Sequence, residues 1–226
     1  TPLSWMSVQS NFSLDQSKAD YMTRIQHGTK SHIGEALHNG WVYHTKASTE
    51  AINYDVTGSF NQSFNDLALR GKLRYLYESD EYDDLYAEGR EFASKGIYSL
   101  GAATEGMQVD SYEDQILSEG YFAIGGIDYK DKYILDMLFR KDGSSLFGEN
   151  ERWQNYYRVS SAWRLSEEAF WSSLKGTVNE AKFRFSQGTA GNRPSFAAQY
   201  ETYNVSGGII SKQNLGNKDL LPEFST

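Results

Sequence analysis

Residues able to do chemistry are few in this chain, and their spacing suits it poorly. Four histidines, His27, His32, His38 and His44, follow one another at intervals of five and six residues. Common zinc patterns use tighter, paired spacings, so a solvated loop fits these residues better than a metal centre. There is no cysteine, which removes thiolate ligands and any disulfide framework. The acidic run Asp80, Glu81, Asp83, Asp84, Glu88 and Glu91 offers oxygens to calcium but lacks the glycine that turns an EF-hand loop. It reads more simply as a solvated acidic loop. Asp142-Gly143-Ser144-Ser145 sets hydroxyls beside a carboxylate, but no local histidine could serve as base. Gly188 to Gly191 lacks the lysine and following helix of a phosphate loop. The Asn-x-Ser sequences at Asn11, Asn61 and Asn204 add no chemistry of their own. The expectation is a protein that is not an enzyme and that uses no cofactor or metal.

The elements that position these residues are strands. Over 226 residues the chain carries 16 Tyr, 12 Phe and 20 Gly but only 3 Pro, a balance that favours strand over helix. Net charge is −8 and mean hydropathy −0.62. No stretch approaches the roughly 20 apolar residues of a spanning helix. Barrel strands alternate apolar and polar residues, so a membrane barrel stays compatible with these averages. The acidic balance argues against nucleic acid as a partner. The chain opens Thr-Pro, without an initiator Met or signal peptide, and is read as a mature segment or interior fragment.

Alternation with a period of two runs through the sequence. Ile52, Tyr54, Val56, Phe60 and Phe64 share one face; Asn53, Asp55, Thr57, Ser59 and Asn61 share the other. Beyond a two-residue turn at Asn65-Asp66, Leu67, Leu69, Gly71, Leu73, Tyr75 and Tyr77 oppose Arg70, Lys72, Arg74 and Glu78, completing a hairpin. Tyr133, Leu135, Met137 and Phe139 oppose Lys132, Asp136 and Arg140. Tyr157, Val159, Trp163 and Leu165 oppose Arg158, Ser160 and Arg164, and Ala181, Phe183 and Phe185 oppose Lys182, Arg184 and Ser186. Less regular strands are expected over 3–14 and 115–128, which makes about seven in all. Connections alternate between short ones (65–66 and near 129–130) and long ones (16–48, 80–112, 142–155 and 188–217), with a medium one at 166–176. Short turns at one end and long external loops at the other characterise outer-membrane barrels. Ser166, followed by Glu167 and Glu168, predicts an N-capped helical turn in the medium connection.

A soluble β-sandwich also alternates, and a sandwich that binds carbohydrate or mediates adhesion is the competing reading. Against it stands the polar face, which is basic rather than mixed. Arg70, Lys72, Arg74, Lys132, Arg140, Arg158, Arg164, Lys182 and Arg184 are set there against Glu78 and Asp136. In a barrel, Arg70, Arg74, Arg140, Arg158, Arg164 and Arg184 would face the lumen. Like charges on neighbouring strands need an answer, and carboxylates of a plug are the expected one. Trp41, Tyr82, Tyr86 and Tyr98, in the long loops, are the candidate external ligand contacts.

Three ordered motifs carry a resemblance to a known family. Arg140, Asp142, Gly143, Ser144, Ser145, Phe147 and Gly148 are followed by Arg152-Trp153, then Ser160, Trp163, Arg164 and Glu168. Lys182, Arg184, Ser186, Gly188, Gly191 and Asn192 form a second motif; Leu215, Gly216, Asn217, Leu220 and Glu223 form a third. Together they resemble the barrel of SusC/RagA-type TonB-linked outer-membrane transporters over about 130–223, with Tyr156-Tyr157 and Pro222 as departures. In that setting Gly143 is read as part of a tight loop that uses glycine's backbone freedom.

The resemblance implies an all-β fold, an antiparallel transmembrane barrel of about 22 strands around a plug, of which this chain supplies about seven strands. Residues 1–226 would all belong to the barrel, with plug and TonB box outside the chain. It further implies import of an oligomeric nutrient, glycan or peptide, across the bacterial outer membrane. The implied partners are the rest of the barrel and plug, a SusD-like surface lipoprotein, the TonB system and outer-membrane lipid.

Overall fold

The computed structural model describes residues 3–30, 39–192, 200–206, 208–217, 219, 221 and 223–226. His32, His38 and Pro222 lie outside them. Seven strands form one sheet in sequence order: β1 (Met6–Ile25), β2 (Trp41–Phe64), β3 (Leu67–Phe92), β4 (Ala103–Tyr129), β5 (Tyr133–Ser144), β6 (Trp153–Arg164) and β7 (Lys182–Gly188). β4, β5, β6 and β7 pair antiparallel. Short strands β8 (Ala190–Asn192) and β11 (Glu223–Ser225) pair with each other, as do β9 (Thr202–Ser206) and β10 (Ile209–Asn214).

The chain divides into two compact units. The first comprises Thr1–Ser13, Asn53–Glu78 and Ile116–Thr226; the second comprises Leu14–Ile52 and Ser79–Gln115. Most of the second unit is strand, which corrects the long loops expected at 16–48 and 80–112. Only 26–40 and 93–102 separate those strands. The acidic run at 80–91 is therefore the distal part of β3, not a loop. These portions mix Thr, Ser, Tyr and Asp on both faces, so they lack the apolar stripe by which a half-buried strand is recognised.

Two short turns came out where alternation put them. Asn65-Asp66 joins β2 to β3 and residues 130–132 join β4 to β5, with positive φ at Asn65 (48°), Lys130 (56°) and Asp131 (53°). Short polar side chains tolerate that region best. The helical turn after β6 also exists, as two 3-10 turns, Leu165–Glu167 and Ala169–Trp171. Ser166 does not cap it: the cap position is Arg164, without a side-chain bond, and Ser166 is buried within the turn.

Among the described residues, the buried apolar side chains are Leu146, Phe147 and Tyr156 in the first unit and Val42 and Phe92 in the second. Such small clusters would not hold a sandwich together. Large rings such as Phe139, Tyr157 and Phe183 stand 49%, 44% and 62% exposed on the sheet. The architecture is an open antiparallel wall of the barrel type.

Candidate functional site: a charged face and an aromatic face

Register fixes which side chains share a face. Tyr133 lies opposite Trp163, Met137 opposite Val159 and Phe139 opposite Tyr157. Phe183 and Phe185 lie opposite Trp163 and Ser161, while Tyr129 and Ile127 lie opposite Tyr133 and Leu135. One face of the first unit is thus apolar and aromatic. The other carries Asp136, Arg140, Arg158, Ser160, Arg164, Lys182 and Arg184.

Aromatic rings form two rows on the apolar face. Tyr54, Tyr75, Tyr121 and Trp153 follow one another with centroids 6.5, 5.2 and 5.8 Å apart. Tyr129, Tyr133 and Trp163 make the second row, stacked at 6.3 and 6.3 Å. Trp153 reaches Tyr121 by laying its ring over Gly143: a Cβ there would come within 2.9 Å of the indole. Gly143 lies in β5 without a positive φ. Its role is close approach, not the backbone freedom expected from its place in the motif.

Glu168 closes the second row from the turn after β6. It accepts hydrogen bonds from the Tyr133 hydroxyl (2.7 Å) and Trp163 Nε1 (3.0 Å), and Lys132 Nζ lies 3.2 Å away. The Tyr133 hydroxyl above all, then the Trp163 N–H, hold its carboxyl below the ordinary value.

The charged face is more balanced than the sequence suggested. Arg70 pairs with Asp136 (2.9 Å), Arg74 with Asp55 (3.5 Å), Arg140 with Asp142 (2.6 Å) and Lys132 with Glu168 (3.2 Å). Arg74 and Arg140 also approach the Phe122 ring, at 5.9 and 4.8 Å. Carboxylates of the wall itself thus already lie beside Arg70, Arg74 and Arg140. Among the described residues Lys72, Arg158, Arg164, Lys182 and Arg184 have no ion-pair partner.

The remaining motif residues have local structural tasks. The Ser145 hydroxyl accepts from the Leu117 N–H (3.0 Å), tying the end of β5 to β4, and that of Ser144 accepts from the Leu146 N–H (3.2 Å) within the turn that follows. Phe147 is buried beside them, and Gly148 opens the 3-10 turn Glu149–Glu151. Gly191 faces Glu223 and Phe224 across β8 and β11, where a Cβ would meet the Tyr156 hydroxyl at 2.6 Å. Asn192 pairs with Glu223. Leu215 is exposed, Gly216 has φ 65°, and Asn217 Oδ1 accepts from the Asp219 N–H at 3.0 Å.

In the second unit the four candidate aromatics do not converge on one pocket. Trp41 and Tyr86 both flank Tyr43, at 6.5 and 5.0 Å, and Arg90 stacks on Trp41 at 5.4 Å. Tyr98 packs on Phe92 at 5.7 Å, whereas Tyr82 packs on Tyr112 at 6.2 Å. His44 pairs with Asp20 at 2.6 Å.

No protein-family model matches the chain. Among curated proteins it is 36% identical over 178 residues to TonB-dependent receptor P39 of Formosa agariphila, a match covering 72% of this chain and 16% of that protein. It is 28% identical to TonB-dependent receptor P26 of the same organism, over 82% of this chain and 19% of that protein. The chain thus spans under a fifth of the length of the curated relatives it matches. Among solved structures, the RagAB peptide transporter superposes with a TM-score of 0.86 at 17% identity, over 99% of this chain and 26% of that one. The "open-open" RagAB peptide importer gives 0.83 at 17% identity, over 99% and 25%. The 36% identity to receptor P39 and the open antiparallel wall identify the chain as a portion of a TonB-dependent receptor, and its fold is that of the RagAB barrel wall.

Proposed function

We propose that this chain is part of the wall of an outer-membrane transporter that imports an oligomeric nutrient with energy delivered through TonB. The paired aromatic rows carry the reading. Tyr121 and Tyr129 stand eight residues apart on β4, and Trp153 and Trp163 ten apart on β6. At about 3.3 Å per residue that is roughly 26–33 Å along the strands. With a strand tilt of about 35–45° the rows lie some 20–25 Å apart along the membrane normal, close to the apolar band between aromatic girdles of such barrels. The aromatic face meets lipid and the charged face, with the six arginines expected there, looks into the lumen.

A bilayer crossing needs about 9–11 residues of tilted strand, whereas β3 and β4 have 26 and 27. The length of β3 and β4 beyond one crossing supports placing residues 16–48 and 80–112 on the extracellular side. There Trp41, Tyr82, Tyr86 and Tyr98 are candidate contacts for cargo. The turns at 65–66 and 130–132 are periplasmic. The rest of the barrel, a plug and a SusD-type surface lipoprotein complete the machine the family resemblance implies. Cargo is an oligomer, a glycan or a peptide.

The test uses the full-length receptor in its own bacterium. Membrane fractionation should place it in the outer membrane, and growth on its oligomeric nutrient should fail when either the receptor or TonB is deleted. Recovery in the soluble fraction, or uptake indifferent to TonB, would reject the proposal.

A further inference from the structure

The apolar face of the first unit is broken by a depression. Gly58 and Ala123 stand where larger side chains would fill the sheet surface, and Val8, Leu73, Tyr75 and Phe139 border them around a cavity of about 530 Å³. A Cβ on Gly58 would meet nothing closer than the Phe60 ring at 3.9 Å, so the space above it is open. Among the described residues no carboxylate lines the depression. Arg74 touches it, but its guanidinium turns to the charged face, 3.5 Å from Asp55. An apolar hollow of this kind excludes water and accepts hydrocarbon.

At one end of the depression the same face turns polar within a single rung. Ala123, Phe139 and Tyr157 lie opposite one another on β4, β5 and β6. Two residues further along each strand, Tyr121 lies opposite Lys141, and Lys141 opposite Asn155. An apolar rung is thus followed at once by a hydroxyl, an ammonium and an amide. Lys141 Nζ sits 5.3 Å from the centre of the Trp153 ring, and among the described residues Lys141 has no ion-pair partner. Glu119, two residues beyond Tyr121 on the same strand face, also lacks one among them and can accept from hydroxyls. A lysine at the border of an apolar band is placed to meet a lipid phosphate as a point charge.

We infer that the depression and the Tyr121–Lys141–Asn155 rung form a site for one phosphorylated, acylated glycolipid of the outer leaflet. An acyl chain lies over Gly58 and Ala123, a phosphate meets Lys141, and sugar hydroxyls meet Asn155, Glu119 and the Tyr121 hydroxyl. Such a site requires the proposed orientation, in which the aromatic face meets lipid and the row of Tyr75 and Tyr121 is the one away from the periplasmic turns. The rung offers several donors and one cation against a single carboxylate. A headgroup rich in oxygen, phosphate together with sugar hydroxyls, answers that set, and lipid A carries such a headgroup on its acyl chains.

The experiment measures lipid retention by the full-length receptor in detergent micelles, using native mass spectrometry. The probes are purified phosphorylated lipid A, its dephosphorylated form and phosphatidylethanolamine. The unaltered receptor should keep one molecule of lipid A in preference to either of the others. Lys141→Gln should weaken retention of lipid A about tenfold or more, through loss of a charge-assisted contact, and leave the dephosphorylated form unchanged. Lys141→Arg keeps the charge and should keep the retention. Gly58→Leu fills the depression and should weaken both forms of lipid A. A preference for phosphatidylethanolamine overturns the site, as does lipid A retention that Lys141→Gln leaves unmoved. Lys141 lies outside the depression, so its variants decide the matter even where Gly58→Leu fails to fold. TonB-dependent growth on the nutrient would persist if the lipid site were disproved, so the transport reading is judged apart from it.

Discussion

Arg70 on β3 and Asp136 on β5 pair at 2.9 Å although β4 runs between the strands that carry them. Gly126 of β4 makes this possible, because a side chain there would collide with both. Trp153 does the same on the opposite face, crossing Gly143 of β5 to reach Tyr121 on β4. Both glycines are windows through which a long side chain links strands that do not hydrogen-bond to each other.

The window at Gly126 predicts a specific coupling. A double-mutant cycle on Arg70→Ala and Asp136→Ala should give an interaction of about 0.2–1 kcal/mol, modest because both side chains are half exposed. In a Gly126→Val background the coupling should fall to zero. Denaturant unfolding of the full-length barrel measures it, and a coupling that persists would mean the pair does not need the window.

Gly143→Ala should cost more. Its Cβ would meet the fixed Trp153 ring rather than the movable end of a charged chain, so overpacking of about 1–3 kcal/mol is expected. Trp153→Leu in the same chain should recover part of the loss. Equal costs for the alanine variant with and without the indole would show that Gly143 is needed for something else.

Depth between the aromatic rows sets the penalty for charge on the apolar face. Met137, opposite Val159 and Gly125, lies between the two rows, whereas Leu73 is two residues from Tyr75 of one of them. Met137→Arg should destabilise insertion into bilayers by about 2–4 kcal/mol and Leu73→Arg by less. Equal penalties, or none, would detach this face from lipid.

Glu168 should give the barrel an acid-sensitive element. Its folded-state carboxyl titrates below the ordinary value of 4.5, because the Tyr133 and Trp163 donors favour the ionised form. A depressed carboxylate contributes stability that is fully present above its unfolded value and is lost as pH falls through the folded one. Unfolding free energy should therefore hold from neutral pH down to about pH 5 and decline below it. Glu168→Gln should flatten that decline, and an unaltered pH profile would remove Glu168 from this role.

How much of this was legible depended on whether a feature was local. The alternation of Tyr133 to Phe139 and Tyr157 to Trp163 placed strands and faces correctly, because each strand records its own two environments. The distal parts of β1 to β4 were hidden, since strands polar on both faces leave no periodic trace. Asp55, Asp136 and Asp142 were visible as residues, but their pairing depends on register between strands and, for Asp136, on the missing side chain of Gly126. Glu168 looked like part of a capped turn. Only the approach of Tyr133, Trp163 and Lys132 makes it an acceptor for three strand-end donors.

The last prediction concerns which end of the wall faces outward. If the strands run on past the row of Tyr75 and Tyr121 into the surroundings of the cell, then the 93–102 connection is external and the 65–66 turn is periplasmic. This segment contains no cysteine, so one introduced thiol is the only one it presents. Lys95 and Asp66 are both exposed, and neither belongs to the aromatic rows. In full-length receptors carrying Lys95→Cys or Asp66→Cys, a membrane-impermeant maleimide should label position 95 in intact cells. It should reach position 66 only after the outer membrane is opened, because the reagent cannot cross it. Labelling of 66 but not 95 in intact cells would invert the orientation. The aromatic cluster around Trp41, Tyr43 and Tyr86 would then lie on the periplasmic side and lose its claim to first contact with cargo. Equal labelling of both in intact cells, with outer-membrane integrity verified on a periplasmic control thiol, would remove the wall from the membrane altogether.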